Sequence, residues 1–234
     1  MRYIFLRSMN KQIFTIILAA GEGKRMGGNV SKQFVEIEGK PILRHTIEQF
    51  LSLDMDMEII VVLPPLMKES WKQYCRESGF LSRYIMASGG ITRFHSVQNA
   101  MKYVPENAIV AVHDGVRPFV TKEFLISMFR EAENSPALVP VLPAVDSMRE
   151  IVGNGNSAPV DRSKYVLVQT PQIFHSEILL DAYRQAFSPA FTDDASVAEA
   201  AGYKVKLCPG SRYNLKITTP EDLKVATAIF QSRR

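Results

Sequence analysis

Residues 15 to 34 read TIILAAGEGKRMGGNVSKQF, an apolar run that feeds a glycine-rich turn carrying three cations, Lys24, Arg25 and Lys32. Glycine tolerates the backbone conformations that aim successive N–H groups into one concavity, where anionic oxygens can be taken. Arg25 adds a planar fork of donors, and Lys32 a compact ammonium at the far end of the loop. With Gly21 and Gly23 ahead of them, these residues have the chemistry of a phosphate cradle. Spacing excludes two familiar versions of it. The dinucleotide fingerprint is G-x-G-x-x-G with an acidic residue after the second strand. Here Gly21, Gly23 and Gly27 stand one residue too far apart, and the second apolar run ends in Leu63-Pro64-Pro65 with no carboxylate. The P-loop needs Gly-Lys-Ser/Thr, which this loop does not contain.

The loop must be held by something rigid, and the surrounding pattern says what. The runs 13–19, 58–64, 108–113 and 137–143 are short, β-branched and continuously apolar, as suits strands buried on both faces of a mostly parallel sheet. Amphipathic stretches at 41–53, 92–104 and 121–134 alternate with them. Pro41, and Thr121 with Glu123 behind it, read as helix starts. The series predicts a doubly wound α/β fold with a Rossmann-like sheet, here as one domain over 1–234. One segment departs from it. From 146 to 169 polar and apolar residues alternate around Gly153-Asn154-Gly155-Asn156, a strong hairpin cue. An isolated two-stranded arm is marginal in water, so this one is expected to lean on a second copy of the chain. Helices over 175–187, 193–202 and 219–231 and short strands at 204–208 and 213–218 complete the prediction.

The 234 residues carry 28 basic and 24 acidic side chains, a formal charge of +4. The basic residues are scattered rather than clustered on one face, which speaks against nucleic acid and for a small anionic ligand. Cys75 and Cys208 sit in no metal-binding or redox spacing and read as small buried hydrophobes. The first twelve residues lack the apolar run of a signal peptide, and no segment approaches the roughly 20 apolar residues of a membrane span. A cytoplasmic enzyme or binding protein is the expectation.

The order LAAG-x-G-x-R-M followed by K-Q-F resembles the signature of nucleotidyltransferases acting on sugar-like phosphates. In its details it is similar to the 2-C-methyl-D-erythritol 4-phosphate cytidylyltransferase family. The likeness extends over about residues 13 to 230 through SGGITRFHSV, VHDGVRPF, VDRSKYVLVQTPQIF, TDDASVAEAAG and NLKITTPEDL. Departures from the family pattern are Ser31 where a proline is usual, Gly115-Val116 where two alanines are usual, and Tyr213 where an acidic residue is common. Gly115-Val116 bear on the fit of the sugar end.

The resemblance implies CTP and a polyol phosphate as substrates, a CDP-polyol and pyrophosphate as products, and a homodimer formed through the arm. The nearest alternative acceptor is ribitol 5-phosphate. A phosphate monoester is largely dianionic near neutrality, its second pKa lying near 6. It needs no general base, in keeping with a sequence that shows no Ser/His/Asp or Cys/His constellation. It does need charge stabilisation on the α-phosphate and the leaving group. The resemblance gives that role to Arg25 and Lys32, with Mg²⁺ bridging triphosphate oxygens. It gives the acceptor phosphate to Arg162 and Lys216, which alone would read as an exposed hairpin charge and a surface lysine. Arg162, on the returning strand of the arm, would serve the neighbouring subunit. Ala19, Ala20, Gly21, Gly23, Lys24, Gly89, Gly90 and Ser96 are implied on the nucleotide side, and Thr170 and Thr192 as hydroxyl contacts to the acceptor phosphate. Asp114, at the end of an apolar strand, is either a polyol-hydroxyl or a metal-proximal group. His113 beside it reads as a packed, hydrogen-bonded residue. Asp193 and Asp194 could equally be helix-start carboxylates.

Overall fold

The computed structural model describes residues 11–21 and 31–232. Its centre is an eight-stranded sheet, accompanied by a separate antiparallel pair, β2 (Glu36–Ile37) and β3 (Lys40–Pro41). β1 (Gln12–Leu18) lies between β4 (Met57–Leu63) and β6 (Ala108–Asp114), parallel to both, and β5 (Ile85–Ser88) extends the sheet beyond β4. The chain runs from β1 out to β5 and then returns across β1 to lay down β6. That reversal places a crevice at the carboxyl ends of β1 and β6, where open α/β sheets bind ligands.

Alternation along these strands shows why their sequences are continuously apolar. Ile13 and Ile17 of β1, with Ile59, Val61, Ile109 and Ala111, face one core. Phe14, Ile16, Ile60, Val62, Val110 and Val112 face the other. Both faces are covered by helices. α1 (Ile42–Leu51), α2 (Lys68–Glu77) and α4 (Lys122–Ala132) supply Leu43, Trp71 and Phe129 to the first core. α3 (Arg93–Met101), α5 (Ser176–Ala182) and α6 (Asp194–Ala200) supply Phe94, Leu179 and Val197 to the second. Each such side chain, fully buried, contributes about 1.5–3 kcal/mol. A third cluster joins α7 (Pro220–Ser232) to the start of α1 through Ala226, Phe119 and Ile42. Among the described residues no helix is long and apolar enough to cross a membrane.

The sheet continues from β6 through β11 (Gln172–His175), antiparallel to it, to β7 (Ala137–Pro143). Leu138 of β7 pairs with Ile173 of β11 and with Lys206 of β12 (Lys206–Pro209), so those two strands flank β7 on opposite sides. β10 (Val166–Val168) pairs antiparallel with the carboxyl end of β7. This alters the sequence-based boundaries. The segment 166–168, expected as the tail of the arm, belongs to the main sheet. The separate hairpin is only β8 (Arg149–Gly153) and β9 (Asn156–Pro159), turning at Asn154 and Gly155, both with positive φ. Arg162 sits in a 3-10 turn at 162–164 instead of on a strand. The stretch 213–218 is irregular rather than a strand. One side-chain bond from Asn214 to Thr170 O and one backbone bond from Ile217 to Val116 hold it.

Candidate active site

A cleft of about 480 Å³ opens at the carboxyl ends of β1, β4, β5 and β6. The loops leaving these strands begin tied to neighbouring strands: Ala19 N–H donates to Val62 O, Gly89 N–H to Leu63 O and Gly115 N–H to Leu18 O. Gly89 is glycine because of that proximity. A Cβ there would stand 2.3 Å from the Ala20 Cβ, and one on Gly90 would stand 2.4 Å from the His95 Cβ. Ser96 fastens the same loop from α3, accepting from Gly90 N–H at 3.0 Å and donating to Thr92 O at 2.9 Å. Gln33, buried in the 3-10 turn Lys32–Phe34, donates to Ala19 O at 2.7 Å and to Gly21 O at 3.3 Å. The side chain next to Lys32 thus clamps the backbone that leaves β1, and Lys32 itself lines the cleft.

Across the cleft, cations converge on one carboxylate. The Asp114 Oδ2 takes Lys216 Nζ at 3.0 Å and Arg117 Nε at 3.1 Å. Burial pushes the pKa of the Asp114 carboxyl up, but the charges of Lys216, Arg93 and Arg117 override burial and hold it well below the usual carboxylate range. Asp114 therefore stays ionised and fixes the end of Lys216, whose side chain remains 42% exposed. Arg117 also donates to Asn214 O at 2.8 Å, and Asn214 Nδ2 donates to Thr170 O at 2.7 Å. The irregular segment bearing Lys216 is tied in this way to β6 and to the bend before β11.

Arg93, at the start of α3, forms a two-pronged pair with Asp194 at 2.9 and 2.5 Å. Asp194 is fully buried and also accepts from Tyr183 OH at 2.6 Å. Gln172 of β11 supports the same helix start, donating to Asp193 Oδ2 and accepting from Ala195 N–H. Asp193 is the N-cap of α6, in a reciprocal capping box with Ser196. The reading of Asp193 as a helix-start carboxylate fits this. Asp194, the first residue of α6, is a helix-start carboxylate as well and is also the buried partner of a cleft arginine. Sequence reasoning missed Arg93, Arg117 and Gln33, although all three lie in motifs that it singled out.

Of the residues expected at the site, Ala19, Ala20, Gly21, Lys32, Gly89, Gly90, Ser96, Asp114 and Lys216 line this one cleft. Gly23, Lys24 and Arg25 lie outside the described residues. Arg162, Thr170 and Thr192 do not line it. Arg162 is exposed, its guanidinium donating to Val145 O. Thr192 is exposed ahead of α6. Thr170 is buried, its hydroxyl engaged by Asp114 N–H and His113. Val116 lines the cleft, whereas Gly115 is a packing position: a Cβ there would stand 2.9 Å from Leu18 O.

A strand-end cleft with a glycine wall on one side and a cation–carboxylate cluster on the other suits a nucleotide and a second anion. The family profile described as 2-C-methyl-D-erythritol 4-phosphate cytidylyltransferase matches residues 13–232. The chain belongs to this family. It is a nucleotidyltransferase, and its relatives span nearly all of it. The 2-C-methyl-D-erythritol 4-phosphate cytidylyltransferase of Bacteroides thetaiotaomicron is 49% identical over 215 residues, 92% of this chain and 98% of that protein. That of Porphyromonas gingivalis is 43% identical over 96% of this chain and 100% of its own. Among solved structures, the enzyme of the same name from Thermus thermophilus superposes with a TM-score of 0.74 at 30% identity, covering 94% of this chain and 99% of its own. The 4-diphosphocytidyl-2C-methyl-D-erythritol synthase of Anaerococcus prevotii gives 0.79 at 27%, over 94% of this chain and 96% of its own.

Proposed function

We propose that the protein transfers a cytidylyl group from CTP to 2-C-methyl-D-erythritol 4-phosphate, a step in making isoprenoid precursors. An oxygen of the acceptor phosphate attacks the α-phosphorus of CTP. The bond from that phosphorus to the bridging oxygen of the β-phosphate breaks, and pyrophosphate leaves. The observation that carries this reading is the shared cleft, with Lys32 beside the glycine-walled loop and Lys216 held opposite by Asp114. Ala19, Ala20, Gly89 and Gly90 let the nucleotide approach the backbone, with Gly21, Gly23 and Lys24 at the triphosphate. Lys32 and Arg25 stabilise charge on the α-phosphate and the departing pyrophosphate. Lys216 orients the acceptor phosphate.

Asp114 is the one acidic side chain among the described residues lining the cleft. With Asp114 already paired with Lys216 and Arg117, a Mg²⁺ ion would take its ligands mainly from phosphate oxygens and water. Bound there, the ion would neutralise triphosphate charge.

Arg162, away from the cleft of its own chain, acts at the acceptor phosphate of a partner in a homodimer, and Thr192 gives a hydroxyl contact to the acceptor phosphate. The exposed side chains Ile151 and Val152 of the hairpin and Leu167 of β10 supply apolar surface for that contact. Pyrophosphate release with CTP and each acceptor in turn tests the reading. Turnover with the methylerythritol phosphate is expected. Turnover with ribitol 5-phosphate alone would replace the acceptor, and none with either would defeat the assignment.

A further inference from the structure

His113 is a fully buried titratable group with no part in the chemistry above, yet both its ring nitrogens are engaged. It is the penultimate residue of β6, its ring edge-on to Phe50 at 5.0 Å between centroids. The Nε2 atom lies 3.1 Å from Arg117 O. A carbonyl only accepts, so Nε2 carries a proton, and in the neutral ring Nδ1 is then an acceptor. Nδ1 lies 3.2 Å from the Thr170 hydroxyl. That hydroxyl has a single proton to give, and it accepts from Asp114 N–H at 3.0 Å. The bonds therefore run from the Asp114 backbone through Thr170 and His113 to the backbone of Arg117. Arg117 in turn closes the loop by holding the Asp114 carboxylate.

We propose that His113, as the neutral Nε2–H tautomer, is a positioning residue that sets the Asp114–Arg117 pair on the acceptor side of the cleft. It acts through the Thr170 hydroxyl and the Arg117 carbonyl. Packing alone would need no such polarity, since a phenyl ring would fill the space beside Phe50. Neutrality matters because Lys216, Arg117 and Arg93 already bear on Asp114, and a further cation would compete for the same carboxylate. Burial disfavours the charged ring, lowering its pKa to about 4. Thr170, expected from the family likeness to touch the acceptor phosphate, has its proton committed to His113 in this arrangement.

The inference rests on the proposed acceptor side of the cleft, so wild-type turnover is measured first. Failure there removes the substrate reading, and the ring is then judged by nitrogen-resolved histidine NMR of the full-length protein at neutral pH. A neutral Nε2–H ring is expected, and an Nδ1–H or doubly protonated ring overturns the proposal. With an active enzyme, His113→Phe should raise KM for the acceptor about tenfold, the size of one to two lost hydrogen bonds. KM for CTP should move less than about twofold, because a positioning effect confined to the acceptor side leaves nucleotide contacts in place. His113→Asn retains an acceptor for Thr170 and His113→Gln a donor for Arg117, so each should fall between wild type and His113→Phe. Adding Thr170→Val to His113→Phe should do less than the sum of the two changes, as expected of groups in one network. Unchanged KM values, equal losses for both substrates, or additive effects would overturn the assignment. If His113→Phe fails to fold, His113→Asn and His113→Gln carry the same comparison of the two KM values.

Discussion

Lys32 and Lys216 reach the cleft from segments that secondary structure alone does not fix, and each depends on a buried polar neighbour. Gln33 clamps the loop beside Lys32, and Asp114 holds Lys216. The charge of Lys32 acts on the reaction and does little for the core, so the two effects separate in experiment, whereas Lys216 also holds the buried Asp114 ionised. Lys32→Ala should lower kcat by about 10²–10³, the scale of one lost electrostatic contact in a transition state, with an unchanged thermal midpoint. Arg25→Ala should behave alike. Turnover near normal in either variant would remove that residue from the mechanism. His113 contributes to stability as well. Its native pKa of about 4 lies below the ordinary 6.5, so in that window the unfolded chain binds a proton that the native chain refuses. The contribution is complete above the upper value and is lost as pH falls through the window, on the order of 3 kcal/mol in all. Asp114, held below the usual carboxylate range, loses its own contribution only at lower pH. Denaturant unfolding from pH 7 to 4 should show the fall, and His113→Asn should flatten it. A slope unaltered by that substitution would assign the fall to other groups.

The turns that join strands to helices set the site's shape. After β5 the chain passes so close to Ala20 that Gly89 has no room for a side chain. Gly89→Ala must push the β5–α3 loop away from the strand-end backbone. A raised KM for CTP is expected, with a smaller change for the acceptor. An unchanged KM for CTP would place the base elsewhere. At α6, Asp193 serves both the N-cap and Gln172. Asp193→Ala should destabilise the fold by about 1–2 kcal/mol, the range for a lost N-cap, read from the denaturation midpoint. A smaller loss would mean that Gln172 and Asp194 hold the helix start unaided.

At the scale of the molecule, the hairpin and β10 leave apolar surface uncovered: Ile151 is 84% exposed and Leu167 54%. β10 also offers an edge beyond its one partner, β7, a feature that invites pairing. A two-fold dimer would cover it and bring Arg162 to a neighbour's cleft. Arg25→Ala and Arg162→Ala are each expected to be inactive. Mixed with subunit exchange, they should recover up to about half the wild-type rate per heterodimer, one site carrying both lesions and the other neither. A mixture that stays dead would return Arg162 to its own subunit.

Strands β1, β4, β6 and β7 were legible in the sequence because burial on both faces leaves only apolar residues in the run. The helices on either side were legible because one wet face imposes a helical period. α2 and β5 escaped notice for related reasons. α2 buries only Trp71 and Cys75, four positions apart, and β5 spans four residues. The glycine and lysine positions of the cleft were readable because a local motif carries them. What no local pattern holds is which distant charges meet. Arg93 and Asp194 are 101 positions apart, and Asp114 and Lys216 belong to a strand and an irregular segment joined only through the fold. The sequence by itself determined the layered sheet and the glycine-rich loop with its cations, since burial and backbone freedom act residue by residue. Only the tertiary structure decided the ion pairs, the placing of the His113 ring between Arg117 O and the Thr170 hydroxyl, and the return of residues 166–168 to the sheet, because those depend on how topology brings distant groups within reach.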